Sequence, residues 1–295
     1  MESHNCLRKP EWLRVRLPET RDFVRVDRDL EKLHLNTVCR SAKCPNIFEC
    51  FSRNVATFLI LGKICTRNCG FCNVKKGEPE RVDLNEAGKI SQAVSILGLR
   101  HIVITSVTRD DLDDGGAGHF AEVLDRLRKD HPESTLEVLV PDFQGEREAI
   151  DKVLEAGPDV FGHNLETIRR LYPRARPEAD YSESLGILKY AGNAAPDIRV
   201  KTGIMAGLGE EDVEIYETLK DICGTGCQIV TIGQYLRPSK NNLPVESYIT
   251  PEKFAAYEVT GKKMGLAMFC GPLVRSSYHA DKHGEQDIEK LPVPA

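Results

Sequence analysis

The chain has 295 residues, of which 41% are hydrophobic and 29% are charged, and its formal net charge is −5. This length accommodates one large α/β domain with short extensions, or two smaller domains. The overall acidity offers no general attraction for nucleic acid or an anionic membrane. No apolar run approaches the roughly 20 residues of a membrane span, and the N-terminus lacks the apolar core of a secretory signal. We therefore expect a cytoplasmic protein without nucleic-acid or membrane partners.

From about residue 55 onward, short β-branched or apolar runs alternate with longer segments of helical period. This alternation is typical of repeated βα units around a parallel sheet. The predicted strands are 55–61, 101–107, 135–141, 159–165, 198–205 and 229–236, with a possible seventh at 266–274. The predicted helices are 84–98, 118–130, 146–157, 182–192 and 211–222. The pattern predicts an α/β protein, a partial (β/α)6 TIM-type barrel with N-terminal and C-terminal extensions.

The alternation also divides the chain into three predicted segments. Residues 1–54 form an N-terminal extension, residues 55–265 form the partial barrel, and residues 266–295 form a C-terminal extension with a loose, polar tail. Right-handed crossovers place the C-terminal ends of all the strands on one face, where barrel enzymes assemble their chemistry. We therefore expect the functional residues at that face.

Ten cysteines are unexpected in an intracellular chain, because glutathione and thioredoxin keep structural disulfides rare there. Six of them fall between Cys39 and Cys72, and this clustering indicates metal binding. The other four are interpreted as structural thiols: Cys6, Cys223, Cys227 and Cys270.

A loop directly after the first predicted strand carries Cys65, Cys69 and Cys72 with the spacing C-x3-C-x2-C. A [4Fe–4S] cluster usually takes four cysteines, so three would leave one iron open to another ligand. Structural zinc would need a fourth protein ligand, and no His or Cys follows within the next few residues. The loop therefore favours an iron–sulfur cluster over zinc.

This spacing, with the aromatic Phe71 just before the third cysteine, resembles the signature of the radical S-adenosylmethionine superfamily. In that superfamily the open iron chelates the methionine moiety of the cofactor, and one electron releases a 5′-deoxyadenosyl radical that can remove hydrogen from a methylene. The stretch 203–210 is similar to the superfamily's glycine-rich segment beside the adenine, although a plain βα turn is the alternative. The resemblance implies that five residues bind the cofactor: Phe71, Gly203, Met205, Gly207 and Glu210.

A second cysteine triplet lies upstream, where Cys39, Cys44 and Cys50 are spaced C-x4-C-x5-C. Two triplets predict two clusters, with a zinc knuckle or unrelated reduced thiols as the alternatives at the second.

The two triplets in this order resemble the lipoyl synthase family within the radical superfamily. The resemblance covers about residues 8–283 and includes SVTRDDLDDGGAGHF (106–120), HNLET (163–167) and RSSY (275–278). It implies that Ser276 supplies the fourth ligand of the auxiliary cluster. An oxygen ligand suits cluster iron less well than thiolate, so this corner of the cluster is expected to be labile.

The same resemblance implies cofactor contacts by Ser106, Asn164 and Glu166, although Asn164 and Glu166 could equally be polar residues at a strand end. Three positions depart from the family pattern: Thr108, Gly162 and Thr202. None of the three is a proposed cluster ligand, so they bear only on the fine contacts to the cofactor and the acyl chain.

The resemblance implies a sulfurtransferase that inserts sulfur at carbons six and eight of an octanoyl group on a lysine. That lysine would belong to a lipoyl carrier domain or the glycine-cleavage carrier protein. Two [4Fe–4S] clusters and S-adenosyl-L-methionine are the implied cofactors, the auxiliary cluster is the implied sulfur donor, and a ferredoxin- or flavodoxin-type protein is the implied reductant. The sequence from Cys39 to Arg81 contains eight basic residues and three acidic ones. This excess of positive charge predicts a surface that binds an acidic carrier or reductant, and the alternative is a solvated rim.

Other functions share some of these features. A methylthiotransferase or a biotin-synthase-like sulfur inserter also has two clusters, but the second triplet's spacing together with RSSY argues against both. An iron–sulfur electron carrier or redox sensor would need only the clusters, and six βα units are more protein than it requires. His279 and His283 are candidates for supporting the cluster ligands, or are simply exposed histidines.

Overall fold

The computed structural model describes residues 8–15, 20–53 and 55–280. Its strands are β1 (Thr57–Ile60), β2 (Ile64–Cys65), β3 (Lys75–Lys76), β4 (His101–Ser106), β5 (Thr135–Leu139), β6 (Val160–Gly162), β7 (Arg199–Ala206), β8 (Ile229–Gln234) and β9 (Ala267–Gly271). Seven of them form one sheet in the order β1-β4-β5-β6-β7-β8-β9, and every neighbouring pair is parallel. The short strands β2 and β3 pair separately.

The sheet is a partial barrel, because within the described residues β1 and β9 stand at its two edges. This confirms the predicted α/β fold, and the possible seventh strand is β9. Most of the barrel strands are buried and rich in apolar residues, as expected when helices cover the outer face of a parallel sheet, whereas β9 at the edge is mostly half-buried. The division of the chain into three segments stays a prediction.

The helices in the described part of the chain are α1 (Thr20–Lys32), α2 (Val38–Ser41), α3 (Ile47–Ser52), α4 (Glu86–Leu97), α5 (Ala117–Asp130), α6 (Arg147–Glu155), α7 (Tyr172–Ala175), α8 (Tyr181–Ala194), α9 (Asp212–Cys223) and α10 (Pro251–Lys263). The five predicted helices are confirmed as α4, α5, α6, α8 and α9, with small shifts in their ends. Helix α4 ends at Gly98, whose φ of 63° is the left-handed conformation that glycine adopts at low cost. None of the described helices is long and apolar enough to cross a bilayer.

A buried ionic trio joins three strands of the sheet, β4, β5 and β7. The Lys201 ammonium is 2.6 Å from one oxygen of Glu137, and Nε2 of His101 is 3.0 Å from the other. Glu137 is on β5 and Lys201 on β7, with β6 between them, so the two side chains meet across β6 on one face of the sheet.

The segment that carries α2 and α3 meets the segment after β9 beside β1. The backbone N–H of Leu59 donates to the carbonyl of Asn36, which fixes the N-terminal extension to β1. The side-chain amide of Asn46 donates to the carbonyl of Leu273 at 2.7 Å, and the hydroxyl of Tyr278 donates to the Glu49 carboxylate at 3.0 Å. These contacts hold the segment after β9 against α3. Cys6, His283 and the tail 284–295 lie outside the described residues.

Candidate functional site

The first cysteine triplet lies in a tightly held loop at the C-terminal end of β1. The amide N–H of Gly70 donates to the carbonyl of Ala175 at 2.8 Å, and the N–H of Leu243 donates back to the Gly70 carbonyl at 2.9 Å. The Asn242 side chain donates to the Cys72 carbonyl at 2.8 Å. A β-carbon on Gly70 would be 3.0 Å from the Leu243 side chain, so only glycine fits this approach comfortably.

Burial raises the pKa of two of these thiols, Cys69 and Cys72. It raises the pKa of Cys69 to about 12, despite the opposing effect of the Arg176 guanidinium, and the nearby Cys72 and Cys65 thiolates add to the rise. Burial also raises the pKa of Cys72. The mutual influence shows that the triplet is gathered, and iron binding must displace its protons.

The second triplet is gathered in the same way. Burial raises the pKa of Cys39 to about 11, and the Cys44 thiolate adds to it. Burial also raises the pKa of Cys50, and the neighbouring Cys39 and Cys44 contribute. Burial raises the pKa of Cys44 against an opposing contribution from Arg275. Arg275 therefore lies beside this triplet, and it stands next to Ser276 in the chain.

The donor sets fit iron–sulfur clusters. Among the described residues no three His, Cys, Asp or Glu side chains are close enough to hold a single metal ion. A [4Fe–4S] cluster makes a different demand, because each thiolate binds a separate iron and the sulfurs stay apart. Each triplet supplies three thiol donors, which suits such a cluster.

Ser276 lies at the centre of a small polar group. Its hydroxyl donates to Oδ1 of Asn164 at 2.7 Å, and Nδ2 of Asn164 donates to Oε1 of Glu166 at 3.0 Å. A β-carbon on Gly203 would be 2.6 Å from Oγ of Ser276 and 2.9 Å from Oδ1 of Asn164. The absence of a side chain at Gly203 is therefore what allows Ser276 and Asn164 to meet over β7.

Glu166 is held in a strained conformation. Its φ of 67° is left-handed, which is uncommon for a residue with a side chain and is often found at functional sites. Its N–H donates to the carbonyl of Gly203 and its carbonyl accepts from Met205, so the backbone is fixed to β7. Burial raises the pKa of the Glu166 carboxyl, and Arg176 opposes the shift. Arg176 also donates to the carbonyl of Asn164 at 2.9 Å.

Three buried polar atoms have no hydrogen-bond partner among the described residues: the Ser106 hydroxyl, Nε2 of His163 and the Thr167 hydroxyl. A buried polar group without a partner costs about 1–3 kcal/mol, so a bound ligand that satisfied it would be stabilised. Ser106 ends β4 at the face that carries the cysteine loop. Its unsatisfied hydroxyl fits a cofactor contact.

The glycine-rich stretch is shaped by its own last residue. Gly207 has a φ of 107°, and a β-carbon there would be 2.2 Å from Nε2 of Gln234. The Glu210 carboxylate accepts from the N–H groups of Gly207, Leu208 and Gly209 at 2.8–3.2 Å. Glu210 therefore holds the loop in shape, and its contact with the cofactor stays a prediction. Phe71 and Met205 are half-buried against the core.

The structure adds charged residues that the sequence reasoning missed. A small cavity beside Cys69 is lined in part by Arg67, Thr108, Asp142 and Arg176. Arg67 pairs with Asp142, which follows β5 at the same face of the barrel. The sequence could have indicated this pair, because Arg67 is a charged residue inside the cysteine loop and Asp142 is an acidic residue just after a predicted strand.

The structure thus brings some of the predicted residues together around Asn164 and leaves others apart. Asn164, Glu166, Gly203 and Ser276 are in direct contact, and the second triplet lies beside Arg275. The first triplet approaches Glu166, whose charge affects Cys69 and Cys72. No described contact joins Ser106 or Gly207 to this group.

Comparison with known proteins identifies the family. A model of the radical SAM superfamily matches residues 59–222. A lipoyl synthase of Caldanaerobacter subterraneus is 54% identical over 276 residues, covering 93% of this chain and 96% of that relative. A lipoyl synthase of Alkaliphilus metalliredigens is 50% identical over 286 residues, covering 95% and 99%. The crystal structure of methylornithine synthase (PylB) matches the fold with a TM-score of 0.55 at 15% identity, covering 95% of this chain and 90% of that one. The chain belongs to the lipoyl synthase family of the radical SAM superfamily.

Proposed function

We propose that this protein inserts two sulfur atoms, at carbons six and eight, into an octanoyl group carried on a lysine of a lipoyl carrier domain. Membership of the radical SAM superfamily brings a [4Fe–4S] cluster and S-adenosylmethionine, and membership of the lipoyl synthase family brings a lipoyl carrier as substrate. The observation that carries the finer proposal is the contact between Ser276 and Asn164 at 2.7 Å. This contact joins Ser276, the implied ligand of the auxiliary cluster, to Asn164, an implied contact of the cofactor.

Two groups of residues would hold the two clusters. Cys65, Cys69 and Cys72 would bind the radical cluster, and a set of four would bind the auxiliary cluster: Cys39, Cys44, Cys50 and Ser276. When bound, the first cluster supplies the electron that cleaves S-adenosylmethionine, and the auxiliary cluster supplies the sulfur. The clasp between Asn46 and Leu273 supports this grouping, because it brings the segment carrying Ser276 against the helix carrying Cys50.

The polar group at the barrel mouth would orient the cofactor. Ser106 offers an unsatisfied hydroxyl, and Glu166 offers a carboxylate whose buried charge is balanced by Arg176. Asn164 holds Glu166 and Ser276 at the same time. We infer that this arrangement sets the cofactor, the acyl chain and the auxiliary cluster close together and away from water.

The partners are proposed from the charge around the cysteine loop. Lys75 and Lys76 form β3 and are exposed, and the Lys76 ammonium donates to the carbonyl of Cys69 at 3.1 Å. These lysines, with Arg81, would receive an acidic carrier domain, the glycine-cleavage carrier protein, or a ferredoxin- or flavodoxin-type reductant. The nine described cysteines are free thiols, which supports a place in the reducing cytoplasm.

The division between the clusters can be tested by metal content and cofactor cleavage. Replacing Cys65, Cys69 and Cys72 together by Ala should leave about half of the iron and sulfide and abolish cleavage of S-adenosylmethionine. Replacing Cys39, Cys44 and Cys50 should leave some cleavage but no lipoyl product. Cys223→Ala is the control, because that thiol lies at the end of α9 and donates to the carbonyl of Met264. Zinc as the native metal, or cleavage by the first triple variant, would contradict the proposal.

A further inference from the structure

The motif at 106–120 wraps the segment that leads into the first cysteine triplet, and the proposed function so far uses only Ser106 of it. At the entry to that segment, Nη1 of Arg109 donates to the carbonyl of Leu61 at 3.2 Å. The N–H of Leu61 donates to Oε2 of Glu86 at 2.9 Å, and the same oxygen is 2.9 Å from Nε2 of His119. Both polar groups of Leu61 are therefore held by buried, charged side chains.

Leu61 needs this support because its backbone is strained. Its φ of 65° is left-handed, and Gly62 follows with a φ of 96°. A left-handed conformation costs a residue with a side chain about 1–3 kcal/mol. Gly116 of the motif makes room for the Leu61 side chain, since a β-carbon there would be 2.3 Å from its Cδ1. The turn directs the chain from β1 into the cysteine loop.

The same motif also braces the loop beyond Cys65. The Asp110 carboxylate accepts two hydrogen bonds from Arg67, at 2.8 and 2.9 Å, and one from the Thr66 hydroxyl at 3.1 Å. The N–H of Thr66 donates to the carbonyl of Thr108 at 3.1 Å. Thr66 and Arg67 stand between Cys65 and Cys69, so the brace acts within the cluster loop itself.

We propose that Arg109 and Asp110 are positioning residues that fix the cysteine loop, Arg109 at its entry through Leu61 and Asp110 at its first turn through Thr66 and Arg67. The inference rests on the proposed function only in taking this loop as the radical-cluster loop. The Arg67 side chain is only 9% exposed and that of Asp110 is 30% exposed, but Arg67 keeps its pair with the buried Asp142 when Asp110 is changed, so we expect a small effect on global stability. Its effect falls on the aim of the loop, where an error of about 1 Å can cost about a hundredfold in rate.

The first test uses the metal-free protein, so that it does not depend on the proposed function. Asp110→Asn keeps the size of the side chain but removes its charge and one of its acceptors for Arg67. The control is Asp113→Asn, an exposed position in the same motif. We expect Cys69 to react with a thiol reagent several-fold faster in Asp110→Asn than in the control, with melting temperatures within about 4 °C of each other.

The second test uses the reconstituted protein and separates positioning from folding. In Asp110→Asn we expect the electron paramagnetic resonance signal of the reduced radical cluster to respond abnormally to S-adenosylmethionine, with cofactor cleavage reduced about tenfold to a hundredfold. The auxiliary-cluster signal should be unchanged. Equal Cys69 labelling and equal spectra in the two variants would overturn the inference. A variant that lost both clusters together with its overall stability would also overturn it. A wild-type protein that binds no cluster would instead overturn the proposed function and leave the labelling result standing.

Discussion

The hydroxyl of Ser276 lies 2.7 Å from Oδ1 of Asn164, although 112 positions separate the two residues in the chain. Asn164 follows β6, and Ser276 follows β9 on a segment clasped to α3. One hydrogen bond therefore links the barrel mouth to the segment that carries the implied auxiliary ligand. A change at Ser276 should affect sulfur insertion more than cofactor cleavage, whereas a change at Asn164, which also holds Glu166, should affect both.

Ser276→Ala tests the ligand assignment directly. We expect cleavage of S-adenosylmethionine to survive, because Cys65, Cys69 and Cys72 lie in a separate loop. Lipoyl formation should fall about a hundredfold, since the auxiliary cluster loses a ligand and its position. Ser277→Ala is the matched control: its hydroxyl accepts a bond from Thr57 at 2.9 Å, and its loss should cost about 1 kcal/mol of stability. If the two variants exchanged these phenotypes, the motif would be out of register by one residue.

Gly203→Ala should have a similar effect by a steric route. The added methyl group would lie 2.6 Å from Oγ of Ser276 and 2.8 Å from Oγ1 of Thr231, closer than real contacts allow. We expect Ser276 to be displaced, with lipoyl formation lost in a product assay. Gly186→Ala, on α8 with open space around it, should instead be neutral or stabilise the helix by about 0.5–1 kcal/mol. Full activity of Gly203→Ala would contradict the close approach.

Asn46→Ala tests the clasp between the start of α3 and the segment after β9. The variant leaves the carbonyl of the half-buried Leu273 without its partner at 2.7 Å, at a cost of about 1 kcal/mol. We expect easier proteolysis after β9 and loss of auxiliary-cluster iron, measured by limited digestion and metal analysis. Asn85→Ala is the control, since that exposed side chain makes no capping bond at α4. Equal digestion of the two variants would show that the clasp does not hold the segment.

The buried trio predicts how stability depends on pH. Burial alone would raise the pKa of the Glu137 carboxyl, but the Lys201 ammonium and the His101 ring bring it down to about 2. The folded pKa is below the ordinary 4.5, so this contribution to stability is complete above pH 4.5 and is lost as the pH falls toward about 2.

Glu137→Gln should therefore flatten the pH dependence of unfolding in that window. It should also destabilise the protein by about 3–5 kcal/mol near neutral pH, because the Lys201 charge is left buried without its partner. Denaturant titrations at several pH values measure both effects, with the exposed Glu133→Gln as control. An unchanged acid slope would contradict the proposed ionisation of Glu137.

The barrel could be predicted from the sequence because most of its parallel strands are buried and contain β-branched or apolar runs. Helix α10 was missed, since only three of its thirteen residues are buried and its helical period is weak. The short helices α2 and α3 were missed because each is only four to six residues long, too short to show a period.

The cysteine spacings predicted two metal-binding loops, but the position of Ser276 in the fold could not be predicted from them. Its place depends on β9 and on the clasp at Asn46, both of which are tertiary features. The brace at Leu61 was equally hidden, because a left-handed leucine is visible only once the backbone is known. Glu210 shows the opposite case: it is in register with the glycine-rich stretch, yet its carboxylate is taken up by its own loop.

The central claim is tested most directly by anaerobic reaction of the reconstituted protein with S-adenosylmethionine, a reductant and an octanoyl-lysyl peptide, followed by mass spectrometry. If the clusters are rebuilt with isotopically labelled sulfide, we expect a lipoyl peptide carrying two labelled sulfur atoms and two molecules of cofactor consumed for each lipoyl group. Cleavage of the cofactor without a sulfur-containing peptide would indicate a different radical enzyme. Intact clusters that never cleave the cofactor would indicate an electron carrier or sensor, and would contradict the account.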